Sequence, residues 1–180
     1  MNNKILKGSI IVLILALAVL SVSMVSADSN STSILTLSKG GIVINYPSDW
    51  GYSEATSPDS IMAISKLSSI DSAGVGQVNI NVEKRPIEGG DFYTFVNNTY
   101  KSMQYDSNFK LLSSGAVMLG DIEALQYMYT SNINGTEKEH KAVWFEKGGQ
   151  AYVLLYSAPV NQFESNMYVF DFILSDIRIT

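Results

Sequence analysis

A single histidine, His140, limits what this sequence can catalyse. Imidazole is the commonest general base and a common metal ligand, so a Ser-His-Asp relay would have to be built on that one residue. The residues from Glu139 to Lys147 read as a strand, where side chains alternate between faces. His140 therefore points away from Glu139 and Lys141 and shares a face with Ala142 and Trp144. The next acid on that face, Glu146, lies roughly 20 Å away along an extended strand, beyond any orienting hydrogen bond. His140 reads as a structural or surface histidine.

Ser107-Asn108-Phe109-Lys110 has the Ser-x-x-Lys spacing of some serine acyl enzymes, where the motif opens a buried helix. Here it follows the end of a helical pattern, and the match reads as chance. No Gly-x-Ser-x-Gly, phosphate loop or dinucleotide fingerprint occurs. Asp49, Glu54, Asp59, Asp71, Glu88 and Asp91 fall near turns without the spaced acids of a calcium loop, so they read as solvated turn residues. The chain has no cysteine. That excludes a disulfide framework, a thiolate metal site and a cysteine-linked lipid anchor together. On these residues no catalytic, cofactor-binding or metal-binding position is assigned and no cofactor is expected. Asn30, Asn97 and Asn134 each begin an Asn-x-Ser/Thr sequon, which matters only where exported proteins are glycosylated.

The elements that would position these side chains can be read from periodicity. Ile34 to Leu37 and Ile42 to Tyr46 are short apolar runs around Lys39-Gly40-Gly41, a pair of strands with a glycine turn, and Pro47-Ser48-Asp49 turns the chain before Trp50. Ile61 to Leu67 reads as a strand. Val75 to Lys84 alternates most cleanly, with Val78, Ile80 and Val82 on one face and Gln77, Asn79, Asn81 and Glu83 on the other, as in a half-buried strand. Asp91 can cap a helix whose Phe92, Phe95, Val96, Tyr100 and Met103 recur at helical spacing.

Phe109 to Met118 and Ile122 to Ser131 read as strands joined at Gly120-Asp121. Asn134-Gly135 and Gly148-Gly149 are hairpin turns, giving a meander through Glu139 to Lys147 and Gln150 to Ser157. Tyr127, Tyr129, Tyr152 and Tyr156 alternate along these strands, as core tyrosines with their hydroxyls at the rim do. After Pro159, Asn161 and Glu164 have capping-box spacing, and Phe163, Met167, Phe170, Leu174 and Ile177 mark one face of a terminal helix, on which, or on a short strand just beyond it, the sequence ends. Two helices with about six or seven mostly antiparallel strands make an α+β domain.

Upstream of the domain, Lys4 and Lys7 precede an unbroken apolar run within Ile10 to Val25, and Val25-Ser26-Ala27 closes it with small residues. Residues 1–27 read as a secretory signal peptide cleaved near Ala27, or as an uncleaved N-terminal anchor. The apolar stretch is about 16 residues against the roughly 20 of a spanning helix. Either way the charge asymmetry sends everything after Ala27 out of the cytoplasm. Residues 28–33 are a small polar linker and 34–180 one domain. Without Lys4 and Lys7 the chain keeps 10 basic against 17 acidic residues, a net charge near −7. Nucleic acid is an unsuitable partner for such a surface.

Several of these motifs come in a familiar order. Tyr46-Pro47-Ser48-Asp49-Trp50, the Gln77 to Val82 strand and the Phe92 helix are followed by Lys141-Ala142-Val143-Trp144-Phe145, Gly148-Gly149, Ala151 through Pro159, Phe163 and Leu174-Ser175. Over residues 34–180 this series resembles the PsbP-like domains, and more narrowly the exported PsbP-related proteins of archaeal methanogens. The resemblance implies the Mog1/PsbP fold, an antiparallel sheet between helices. It implies no activity, because relatives include a photosystem assembly subunit and a nuclear transport factor with no shared chemistry. No functional residue is carried over.

The sequence thus points to a non-enzymatic, extracytoplasmic binding or assembly module that acts through protein partners and touches the membrane only through its N-terminal segment, if uncleaved. The alternatives are an exported hydrolase with an unrecognised carboxylate site and a structural cell-surface protein. Converging carboxylates in an apolar pocket would favour the hydrolase, and an exposed apolar patch the module.

Overall fold

Alternation and glycine turns build most of the molecule. The computed structural model describes residues 32–54, 57–88, 90–133 and 135–180. The export segment and most of the linker lie outside the described residues, as do sequon residues Asn30 and Asn134. Ser33 is already part of the domain, since its N–H donates to Ser48 Oγ and its carbonyl accepts from Ser48 N–H.

Among the described residues, ten strands and two α-helices follow in the order β1 (Ile34–Lys39), β2 (Ile42–Pro47), β3 (Trp50–Ser53), β4 (Ser60–Lys66), β5 (Asn79–Pro86), α1 (Phe92–Met103), β6 (Lys110–Leu119), β7 (Ile122–Ile133), β8 (Thr136–Lys147), β9 (Gln150–Pro159), α2 (Val160–Asp176) and β10 (Arg178–Ile179). β1, β2 and β10 form a small sheet. The other seven form one antiparallel sheet in the order β3-β4-β5-β9-β8-β7-β6. Gly148 and Gly149, at φ of 59° and 69°, make the two-residue turn that sets Lys147 opposite Gln150. Positive φ at both positions matches the twist of the flanking strands.

The α2 side of the large sheet is apolar. Trp50, Ile64, Ile80, Val82, Leu154, Tyr156, Val143 and Phe145 pack there with Phe163, Val169, Phe170 and Ile173 of α2 and with Ile42 and Ile44 of the small sheet. On the other side, Phe92, Val96 and Tyr100 of α1 meet Tyr127, Tyr129, Trp144, Val153 and Leu155. Tyr100 stacks on Tyr127 with ring centroids 3.7 Å apart, and Trp144 Nε1 donates to Tyr100 Oη at 2.9 Å.

Three local expectations are corrected. Trp50–Ser53 is a strand, paired with β4, where the sequence reading assigned no element. Val75 to Val78 belongs to a loop, because Asp71 holds it: its Oδ1 accepts from the N–H groups of Ala73 and Val75 at 2.9 Å, and its Oδ2 from Gln77 Nε2 at 2.7 Å. Asn161 does not cap α2. The helix starts directly after Pro159, which ends β9 and has no capping side chain, so Asn161 already lies inside the first turn. The buried face of α2 is accordingly centred on Phe163, Asn166, Val169, Phe170 and Ile173, with Met167, Leu174 and Ile177 at its flanks.

Candidate functional site

The α1 side of the sheet is apolar over only half its width. β5 sends Asn79, Asn81, Glu83 and Arg85 to this face, in register with Ser157, Leu155, Val153 and Ala151 of β9. All four are at most 8% exposed. The sequence pattern placed Asn79, Asn81 and Glu83 on the open face of a half-buried strand, and that reading is corrected: both faces of β5 are buried. Ser53, Ser65, Lys138, His140 and Ser157 share the face. Of the eleven buried polar side chains among the described residues, these nine stand together.

Two networks satisfy most of them. In the first, Arg85 donates to Glu83 Oε2 through Nη2 at 2.7 Å and Nε at 3.1 Å, and Asn81 Nδ2 donates to Glu83 Oε1 at 2.8 Å. Ser60 Oγ donates to Asn81 Oδ1, and Asp59 Oδ2 lies 3.7 Å from Arg85 Nε. Burial raises the Glu83 pKa against the opposing pull of Arg85. Two carboxylates therefore converge here, but on a guanidinium that stands between them. That arrangement is an ion triad with the charge of Glu83 compensated, not a free acid and base.

In the second network His140, 1% exposed, lies between two serines, with Nδ1 2.7 Å from Ser157 Oγ and Nε2 2.9 Å from Ser131 Oγ. Its ring stacks on Tyr129 at 4.5 Å. Burial, and secondarily the charge of Lys138, push the His140 pKa down to about 3. A neutral imidazole suits this seat, since one ring nitrogen can donate while the other accepts. Among the described residues no carboxylate orients it, and Ser157 is fully buried. Lys138 donates to the Gln77 carbonyl at 3.2 Å, and burial lowers its pKa.

The hydroxyls of Ser53 and Ser65 on this face meet no hydrogen-bond partner among the described residues. Ser65 is closed in by Gly76, where an added Cβ would come within 2.3 Å of its hydroxyl, so only glycine fits that position.

The other candidates lie apart. Ser107 is exposed in the turn after α1, and Lys110 opens β6. Asp91 caps α1, its Oδ1 accepting from Thr94 N–H at 2.8 Å, a bond that holds its pKa down. Glu54 pairs with Lys39 at 2.7 Å and accepts from Tyr52 Oη. Asp49 and Glu88 are exposed. Asn97 is exposed on α1, and its Oδ1 accepts from Tyr127 Oη at 2.8 Å. No cluster of three or more potential metal-binding side chains occurs among the described residues.

On the α2 side, a groove of about 320 Å³ opens between the C-terminal half of α2 and the β6–β7 hairpin, lined by Val117, Met118, Leu119, Val143 and Leu174, with Asp171 held by Lys141 at 2.8 Å.

No protein-family model matches the sequence, and no curated protein sequence matches it. Among solved structures it is similar to cyanobacterial PsbP (CyanoP) from Synechocystis sp. PCC 6803, with a TM-score of 0.60 and 14% identity over 87% of this chain and 98% of that one. The fold is PsbP-like. It is also similar to LpqN, described as involved in cell envelope biogenesis of Mycobacterium tuberculosis, with a TM-score of 0.58 and 18% identity over 84% of this chain and 92% of LpqN. The α+β architecture and antiparallel sheet expected from the motif order are those of the PsbP-like fold, while the buried polar half-face was missed. Its one signal in the sequence was that Glu83 and Arg85 are spaced to meet on the same strand face.

Proposed function

We propose that this chain is an exported, non-enzymatic PsbP-like module that works by binding or assembling protein partners outside the cytoplasm. The observation that carries this reading is the seat of His140. The only imidazole of the chain is enclosed by two serines and a tyrosine ring, without an acid and without exposure, so it cannot exchange protons with a substrate at the surface. Exposed large apolar side chains suited to partner contact include Tyr168 and Phe172 on α2 and Leu112 and Met118 on β6. Export rests on the charged, apolar and small-residue order of residues 1–27, and the closer kinship with the exported archaeal PsbP-related proteins on the motifs from Tyr46 to Ser175.

Isolation of the native protein from membranes and culture fluid tests both halves of this proposal. A mature N-terminus at or near Asp28, with a stoichiometric co-purifying protein, is the expected result. Peptides from Ile10 to Val25 in the folded, membrane-bound protein would replace cleavage by anchoring. Turnover of an exported substrate that falls a hundredfold or more in Glu83→Gln, with the fold intact, would replace the module by a hydrolase.

A further inference from the structure

The two edges of the large sheet are finished differently. β3 has four residues, and a Lys39–Glu54 ion pair at 2.7 Å, tied to Tyr52 Oη, lies beside it. Short strands and nearby charges are how sheets prevent edge-to-edge pairing. β6 has ten residues, no proline and one charge, Lys110, and it is exposed from Leu112 to Ala116. Its register with β7 is irregular only between Leu111 and Ser113, so Ser113 to Leu119 forms a regular stretch. Such a strand offers unpaired backbone groups to another strand.

Gly115 sits in the middle of that stretch. It does not adopt positive φ, and a Cβ there would meet nothing within 4 Å, so neither backbone conformation nor packing within the chain requires glycine. Interior strand glycines without such a cause mark close approach of another backbone.

We propose that β6 pairs antiparallel with β6 of a second copy, joining two sheets across a twofold axis. The regular stretch Ser113 to Leu119 is centred on Ala116, and that register selects the partner. It places Gly115 opposite Val117, Ser114 opposite Met118 and Ser113 opposite Leu119, a small residue against each large one. No charge opposes its own copy, and Lys110 of each copy is carried to the Gly120-Asp121 turn of the other, where Asp121 is exposed. The proposal deepens the binding-module reading and rests on it.

The chain has no cysteine, so single-cysteine variants of the native protein report the contact without background. Ala116 pairs with itself on the axis, and antiparallel partners have Cα atoms about 4.5 to 5.5 Å apart, inside the range a disulfide spans. Ala116→Cys should form a disulfide-linked dimer roughly tenfold or more faster than Ser72→Cys in the exposed Asp71 loop, because pairing raises the effective thiol concentration. Ala116→Lys, which sets like charges opposite each other at an exposed site, should shift the sedimentation from dimer to monomer while the monomer keeps the wild-type circular dichroism and unfolds cooperatively, its midpoint lowered only by the lost dimer contact and independent of protein concentration. A monomeric wild type, or equal cross-linking at positions 116 and 72, overturns the proposal. If a co-purified partner then protects β6 amides from hydrogen exchange, the self-pairing is wrong and the binding module stands. Catalytic turnover with β6 amides unprotected sinks both.

Discussion

β5 contributes Ile80 and Val82 to the face covered by α2, and Asn79, Asn81, Glu83 and Arg85 to the face behind it. Both sets are buried. The apolar set gains stability from packing that needs no particular partner atom, whereas the polar set is tolerable only because nearly every group has its counterpart. The contrast teaches that the polar half of the α1 side depends on particular partners: a change there exposes an unpaired group, whereas a change on the α2 side leaves a cavity.

That contrast can be broken by substitution. Phe170→Ala on the α2 side should cost about 3 to 5 kcal/mol in denaturant unfolding, through lost burial and the cavity left behind. Glu83→Ala should cost a similar amount, about 3 to 5 kcal/mol, for a different reason: Arg85 is left buried with only the more distant Asp59. The two faces part company in the rescue. Replacing both Glu83 and Arg85 by leucine and methionine should recover most of the loss, since no unpaired charge remains, whereas no second polar change should restore Phe170→Ala. A Glu83→Ala cost below about 1 kcal/mol would mean the ion triad is open to water.

Acid should act through the polar face as well. The folded His140 pKa, about 3, lies below the ordinary 6.5. Between these values the unfolded chain binds the extra proton, so the contribution of His140 is complete above about pH 6.5 and falls on acidification, by up to about 1.4 kcal/mol per pH unit. In His140→Gln that part of the slope should vanish from urea midpoints measured between pH 7 and pH 4. A smaller effect is expected at the helix end: Asp91→Ala should cost about 1 kcal/mol at neutral pH by removing the cap of α1, and Asp91→Asn little.

Much of the fold was legible because periodicity and glycine turns act locally. The β6 to β9 strands, both helices and the Gly148-Gly149 turn follow from residues adjacent in sequence. The strand at Trp50 to Ser53 escaped because four residues are too few to show a period, and the cap of α2 because Pro159 ends a strand and starts a helix at once. The candidate site was legible only in outline. That His140 shares a face with Trp144 follows from alternation, but its partners Ser131 and Ser157 come from neighbouring strands. The polar row of β5 reads as solvent-facing because the groups beside it, Ser60 of β4 and the paired residues of β9, are distant in sequence.

The enclosed histidine is the centre of this account, and a chain with one histidine allows it to be observed alone. Following the His140 imidazole resonances by NMR between pH 8 and pH 4 should show a neutral ring that does not titrate while the protein remains folded. A titration midpoint near 6.5 in the folded state would show an imidazole in contact with solvent protons, available as a general base, and would contradict the account.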